Sequence, residues 1–140
     1  MGVQDDAPVL RVPAPRGLTL EFERSYPYGP DDPYLGGMVM RAISAEVRVG
    51  HEVILGGAGD LVDFFQAMYD DFRGWTGERV WMSLEDELRI TAWHDGHVHL
   101  RWELTNTRYE EQAWNFAVTT RHGAGEDMRQ LADAFHQLLT

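Results

Sequence analysis

The sequence predicts an α+β domain: an antiparallel β-sheet of about six to seven strands, with one helix inserted mid-chain and one helix at the carboxy terminus. Three observations lead there. Several short stretches alternate apolar and polar residues, the period of a half-buried strand, and are separated by Gly, Pro, Asn and Asp. Two other stretches repeat large apolar residues every three or four positions, as a helix packed on one face requires. The chain has 140 residues, 44% of them hydrophobic, which is enough for one core.

Residues 1–16 contain Pro8, Pro13 and Pro15 and read as an extended or flexible arm, leaving 17–140 as the domain. In "GLTLEFER", Leu18, Leu20 and Phe22 alternate with Thr19, Glu21 and Glu23, which predicts a strand. "SYPYGPDDPYLGG" at 25–37 holds three prolines, three glycines and three tyrosines, so it predicts a long ordered loop or a flap. From Met38 to Val49 the apolar odd positions Val39, Ile43, Ala45, Val47 and Val49 mark the inward face, and only Arg41 breaks the pattern. Gly50 then reads as a kink or turn before the short strand "HEVIL", which Gly56 and Gly57 end.

Asp60 opens a helix whose Leu61, Phe65, Met68 and Phe72 form one stripe. Asp60 and Asp63 suit the positive end of its dipole, and Gly74 supplies the stop. The stripe is read as core packing rather than a ligand pocket. Strands follow at Arg79–Leu84, Glu87–Trp93 and His97–Leu104, with a turn at Glu85 and Asp86. After the polar "RYEEQ" at 108–112, Trp114, Phe116 and Val118 alternate in a last strand. The carboxy-terminal helix starts at Glu126 and carries Met128, Leu131, Phe135 and Leu138 at helical spacing.

"TAWHDGHVHLRWEL" at 91–104 raises the question of what its three histidines do. A two-residue loop, Asp95-Gly96, sets Ile90 opposite Arg101 and buries charge. A three-residue loop, His94-Asp95-Gly96, sets Trp93 opposite His97, Thr91 opposite His99 and Ile90 opposite Leu100. It gathers Leu88, Ile90, Ala92, Val98, Leu100, Trp102 and Leu104 on one face. Since a one-residue slip inverts every side chain, the apolar pattern selects the three-residue loop, with Gly96 in the left-handed region. His97 and His99 then lie outside with Arg89, Thr91, Trp93, Arg101 and Glu103.

Two histidines spaced this way on a strand are weak metal candidates, and His122 becomes a third if the last strand pairs antiparallel with His97–Leu104. A solvated hairpin tip is the preferred reading, so no metal, no other cofactor and no catalytic residue is assigned. Nucleophile-elbow, zinc-protease, P-loop and dinucleotide motifs are absent from the sequence. "GGAGD" at 56–60 lacks the Lys and Ser/Thr that would hold phosphate and magnesium.

Twenty-three acidic residues against 12 Lys and Arg give a net charge of −11. Such a field disfavours nucleic acid and anionic membranes and attracts a basic partner. The chain has no cysteine, which fits a reducing compartment, and no apolar run approaches the roughly 20 residues that span a bilayer. "MGVQDDAPVL" carries acid where a signal peptide carries base, so the expected location is cytoplasmic. If Val80 and Met82 join the core, Trp81 points outward beside Arg89, Trp93 and His99. Trp81, Trp93, His97, His99 and Arg101, with Tyr26, Tyr28 and Tyr34, are the candidate partner-binding residues, since exposed Trp and Arg match the composition of binding hot spots. Equally, the carboxy-terminal helix or the Tyr-rich loop covers that face.

The stretch "DLVDFFQAMYDDFRGWTGERVWMSLEDELRITAWHDGHVHLRWEL" at 60–104 resembles a family of small acidic uncharacterised actinobacterial proteins, similar to WapI-type immunity proteins. The likeness spans 43–121 at most and rests on Leu61, Phe65, Trp81, Leu84, Glu85, Leu88, Gly96, His97 and Val98, mostly turn and core positions. It implies a fold and no catalytic residues. The resulting expectation is a non-enzymatic protein-binding module with an acidic surface, immunity-like towards a basic toxin domain. The alternatives are a metal-dependent or small-molecule-binding enzyme built on His97 and His99, and a self-associating structural subunit. The sequence leaves the oligomeric state open.

Overall fold

A computed structural model describes residues 8–106, 111 and 113–140. Residues 1–7 of the expected arm, and the polar connection at 108–112 apart from residue 111, lie outside the described residues. The strands are β1 (Val9–Pro13), β2 (Thr19–Ser25), β3 (Gly36–Ile43) and β4 (Arg48–Leu55), followed by helix α1 (Ala58–Asp70). Strands β5 (Arg79–Met82), β6 (Leu88–His94), β7 (His97–Thr105) and β8 (Asn115–Gly123) come next, and helix α2 (Glu126–Leu139) closes the chain. The class is α+β, but the expected single sheet of six to seven strands is two four-stranded sheets, ordered β1-β2-β3-β4 and β5-β6-β7-β8. Every neighbouring pair is antiparallel.

One core unites them, because each element contributes a large side chain to the same place. Phe22 of β2, Trp102 of β7, Phe65 of α1 and Phe135 of α2 are fully buried. The Phe22 ring lies 5.3 Å from Trp102 and 5.0 Å from Phe135, while Phe65 stacks on Phe135 at 4.9 Å. Trp102 carries the one polar group of this cluster, and its Nε1–H donates to Thr120 Oγ1 at 2.9 Å.

A buried carboxylate joins the sheets where β4 ends. Glu87, only 5% exposed, accepts the Ile54 backbone N–H at 3.1 Å through Oε2 and the Ser83 hydroxyl at 2.7 Å through Oε1. Ser83 Oγ accepts the Leu88 N–H, and the Leu84 N–H donates to Ile54 O. The β5–β6 turn is thus fastened to the first sheet, although α1 stands between them in the chain.

Two local expectations are corrected here. The inward residues of β3 are Met38, Met40 and Ala42, not the odd positions, and Val39 and Ile43 take the other face. The chain reverses at Ser44–Val47, where the Ser44 N–H donates to Val47 O and Ser44 Oγ accepts the N–H groups of Glu46 and Val47. Gly50 is therefore no turn but a mid-strand residue opposite Arg41. A Cβ at Gly50 would lie 3.1 Å from Arg41 Cγ, so the glycine gives Arg41 room to reach Glu23 at 3.1 Å. In α1 the stripe Leu61, Phe65 and Met68 is buried as read, but the helix ends at Asp70 and leaves Phe72 47% exposed beyond it.

Removing the Phe135 ring opens a void among three other aromatic side chains. Phe135→Ala is expected to lower unfolding free energy by about 3–5 kcal/mol in urea titration. Glu87→Ala leaves the Ile54 N–H and Ser83 hydroxyl without an acceptor and is expected to cost about 1–3 kcal/mol for each orphaned group, by the same measurement.

Candidate functional site

The β6–β7 hairpin reverses around Gly96, whose φ of +104° suits glycine. Its three-residue loop is Asp95-Gly96-His97, one position beyond the expected His94-Asp95-Gly96, with His94 opposite Val98. Both loops are odd in length, so the buried set Leu88, Ile90, Ala92, Val98, Leu100, Trp102 and Leu104 keeps its face. The cross-strand partners change: Trp93 faces His99, Thr91 faces Arg101 and Ile90 faces Trp102.

Three interactions explain the shifted register. Trp93 and His99 stack, with centroids 5.2 Å apart and planes within 5°. His99 Nε2 lies 2.8 Å from Asp95 Oδ1, which also accepts the His97 N–H. These bonds, that of His99 first, hold the Asp95 carboxyl below its usual range. His94 Nδ1 accepts the Gly96 N–H at 3.1 Å, so the ring proton sits on Nε2 and is donated to Phe72 O at 3.0 Å. In the expected register His99 would face Thr91 and the stack would be lost.

On the outer face of this second sheet, Arg101 pairs with Glu103 at 2.9 Å, and Arg121 lies exposed opposite His99. Arg89 Nη2 approaches Met82 Sδ at 3.9 Å. Strand β5 is turned opposite to expectation. Trp81 faces Ile90 and packs against the core, whereas Val80 and Met82 lie outside, Val80 being 54% exposed, with Leu84 at 55% just beyond. The larger side chain takes the buried side. The structure thus gathers Trp93, His99 and Arg101, with His97 exposed at the tip, but separates Trp81 from them. Helix α2 does not cover this face, because Phe135 packs with Phe22 and Trp102 on the inner side.

Tyr26, Tyr28 and Tyr34 are exposed on the β2–β3 loop of the first sheet. Asp32 Oδ1 orders that loop by accepting the N–H groups of Tyr34 and Leu35, each at 2.8 Å, and the Leu35 and Tyr34 bonds lower its pKa. Arg24 sits over the Tyr26 ring at 5.1 Å.

His122 does not join His97 and His99. Strand β8 does pair antiparallel with β7, but His122 falls opposite Val98, on the inner side. Its Nε2 is 2.7 Å from Thr120 Oγ1, the same hydroxyl that accepts from Trp102. Among the described residues no group of three or more His, Cys, Asp or Glu could hold a metal ion. Burial pushes the His122 pKa down, with Asp127 opposing this and His99 adding to it. His122 instead borders a groove that residue patterns did not foretell, a cavity of about 260 Å³ between β1, the end of β8 and α2, lined by Leu10, Val12, Asp127, Gln130 and Leu131.

Residues 12–140 match a family described as a family of unknown function (DUF6228). The chain belongs to that family. The match takes in all of the structure from the end of β1 onward, both faces of the hairpin and the groove residues from Val12 on. No curated protein and no solved structure matches the chain. Among the described residues no helix is long and apolar enough to cross a membrane.

The fold favours a neutral His122, so its folded midpoint lies below the ordinary 6.5 and the unfolded chain takes up that proton first as pH falls. The stability tied to neutral His122 is complete above about pH 6.5 and declines as the pH drops below it. An NMR titration is expected to place the His122 midpoint below 6.5, and His122→Gln is expected to flatten that part of the stability profile. A midpoint at or above 6.5 contradicts this.

Proposed function

We propose that this chain is a protein-binding module whose contact surface is the outer face of the second sheet. The carrying observation is the composition of that face. A braced Trp93–His99 stack lies among Arg89, Arg101 and Arg121, and is bordered by exposed Val80 and Met82. Rigid aromatic groups beside arginine supply contact area and directional bonds at small entropic cost, which is why such residues dominate binding energy. Scattered apolar exposure needs no explanation, but apolar side chains grouped on one sheet face with Trp and Arg do.

Charge defines the partner at two ranges. The whole chain carries −11, and the solvent side of α1 presents Asp60, Asp63 and Asp70. That field speeds encounter with a basic body, the immunity-like reading in which a basic toxin domain is bound, and it fits a cytoplasmic setting. Close in, the arginines of the sheet face complement acidic groups on the partner's contact patch. The likeness to WapI-type immunity proteins supports the same reading by association only.

Crosslinking in the native host, followed by affinity recovery at low salt, is expected to yield a stoichiometric partner. Trp93→Ala is expected to reduce its recovery about tenfold while the thermal melt stays cooperative. If no partner is recovered, or if Trp93→Ala leaves recovery unchanged, the sheet face is not the binding surface.

A further inference from the structure

The groove beside β1 is longer than its first cavity. A second cavity of about 350 Å³, lined by Pro8, Val9, Gln137 and Leu138, shares Leu10 and Ala134 with the one at His122. The two together follow the length of β1 on one side and α2 from Asp127 to Leu138 on the other. Among the described residues strand β1 ends its sheet, pairing with β2 alone and having no strand on its other side. An edge of this kind presents unpaired backbone N–H and C=O groups on alternate residues, about every 6.6 Å at a rise of about 3.3 Å per residue. Leu131, Ala134 and Leu138 of α2 supply an apolar wall opposite it.

Charge selects the occupant. Asp127 stands at the His122 end of the groove, its carboxylate accepting the Gly123 N–H at 2.8 Å. The Arg11 guanidinium at the rim is engaged by Glu21 at 3.0 Å. Burial disfavours the charged form of His122 beside the Asp127 carboxylate. The groove therefore combines a strand edge, an apolar wall and one acidic end in a chain of net charge −11.

We propose that the groove between the free edge of β1 and helix α2 binds an extended peptide segment, added to β1 as a further strand, with a basic side chain set on Asp127. Backbone pairing supplies affinity, and alternate side chains turned towards α2 supply selectivity. This site is separate from the sheet face of Trp93 and does not depend on that reading.

The test uses a library of capped hexapeptides that alternate Val, Ile or Leu with Lys, Arg or Thr, titrated into isotope-labelled full chain. Perturbation across Val9–Val12 is expected, with slowed exchange of the alternate backbone amides that face away from β2. Ala134→Trp, which fills the groove from a partly exposed position, is expected to weaken binding about tenfold, and Asp127→Asn about threefold. Trp93→Ala should leave this binding unchanged, which separates the groove from the sheet face. The proposal is overturned if the library fails to bind. It is equally overturned if backbone N-methylated peptides, or peptides with Glu for Lys and Arg, bind as well as the original set. Binding that survives both Ala134→Trp and Asp127→Asn overturns it too.

Discussion

Four aromatic rings, one from each layer, are the constraint on which the rest of this fold depends. Phe22, Trp102, Phe65 and Phe135 come from two sheets and two helices that are far apart in the chain, and none can move without opening space for the others. Interiors are packed at crystal-like density, so this contact fixes the angle at which the sheets face each other and the depth at which each helix sits. Trp102 adds direction to packing. Its indole N–H must find an acceptor in an apolar setting, and Thr120 provides it from β8. The register of β7 against β8 is thereby tied to the core, and with it the placing of His122 inside and Arg121 outside.

The exposed surfaces follow from what the core consumes. Once Ile90, Leu100 and Trp102 are committed inward, strand alternation sends Trp93, His99 and Arg101 out. An indole on the wet side of a sheet is then stabilised locally, by the parallel imidazole and by the carboxylate that holds that imidazole in place. The groove has a different origin. It exists because α2 packs on Phe22 and Trp102 from within, which leaves the edge of β1 and the flank of the helix facing each other across unfilled space.

Much of this was legible in residue order, and the failures have definite causes. Alternation over 88–104 identified the buried face of the hairpin, because parity survives a shift of the loop by one position. Parity alone cannot choose between two odd loops, and the choice was made by contacts of Asp95, His94 and Trp93 that no periodicity encodes. In β3 the odd apolar residues misled, since Met38, Met40 and Ala42 were equally apolar; Arg41 was the informative residue, an outward position marked by its charge. Trp81 was misplaced because four residues of an edge strand carry too little alternation to set a face. Glu87, Thr120 and the groove could not be anticipated, as each is defined by a partner from a distant element.

The two hydrogen bonds of His94 have a mechanical meaning. Its ring spans from the hairpin tip to the carbonyl of Phe72, just past the last turn of α1, and Trp75 meets it edge-on at 5.2 Å. Trp75 in turn lies under Arg79, which grips Asp71. Helix end and ribbon tip are thus tied together by side chains from both. The reversal at Gly96, which would otherwise be anchored by its own strands alone, is also moored to the segment that ends α1.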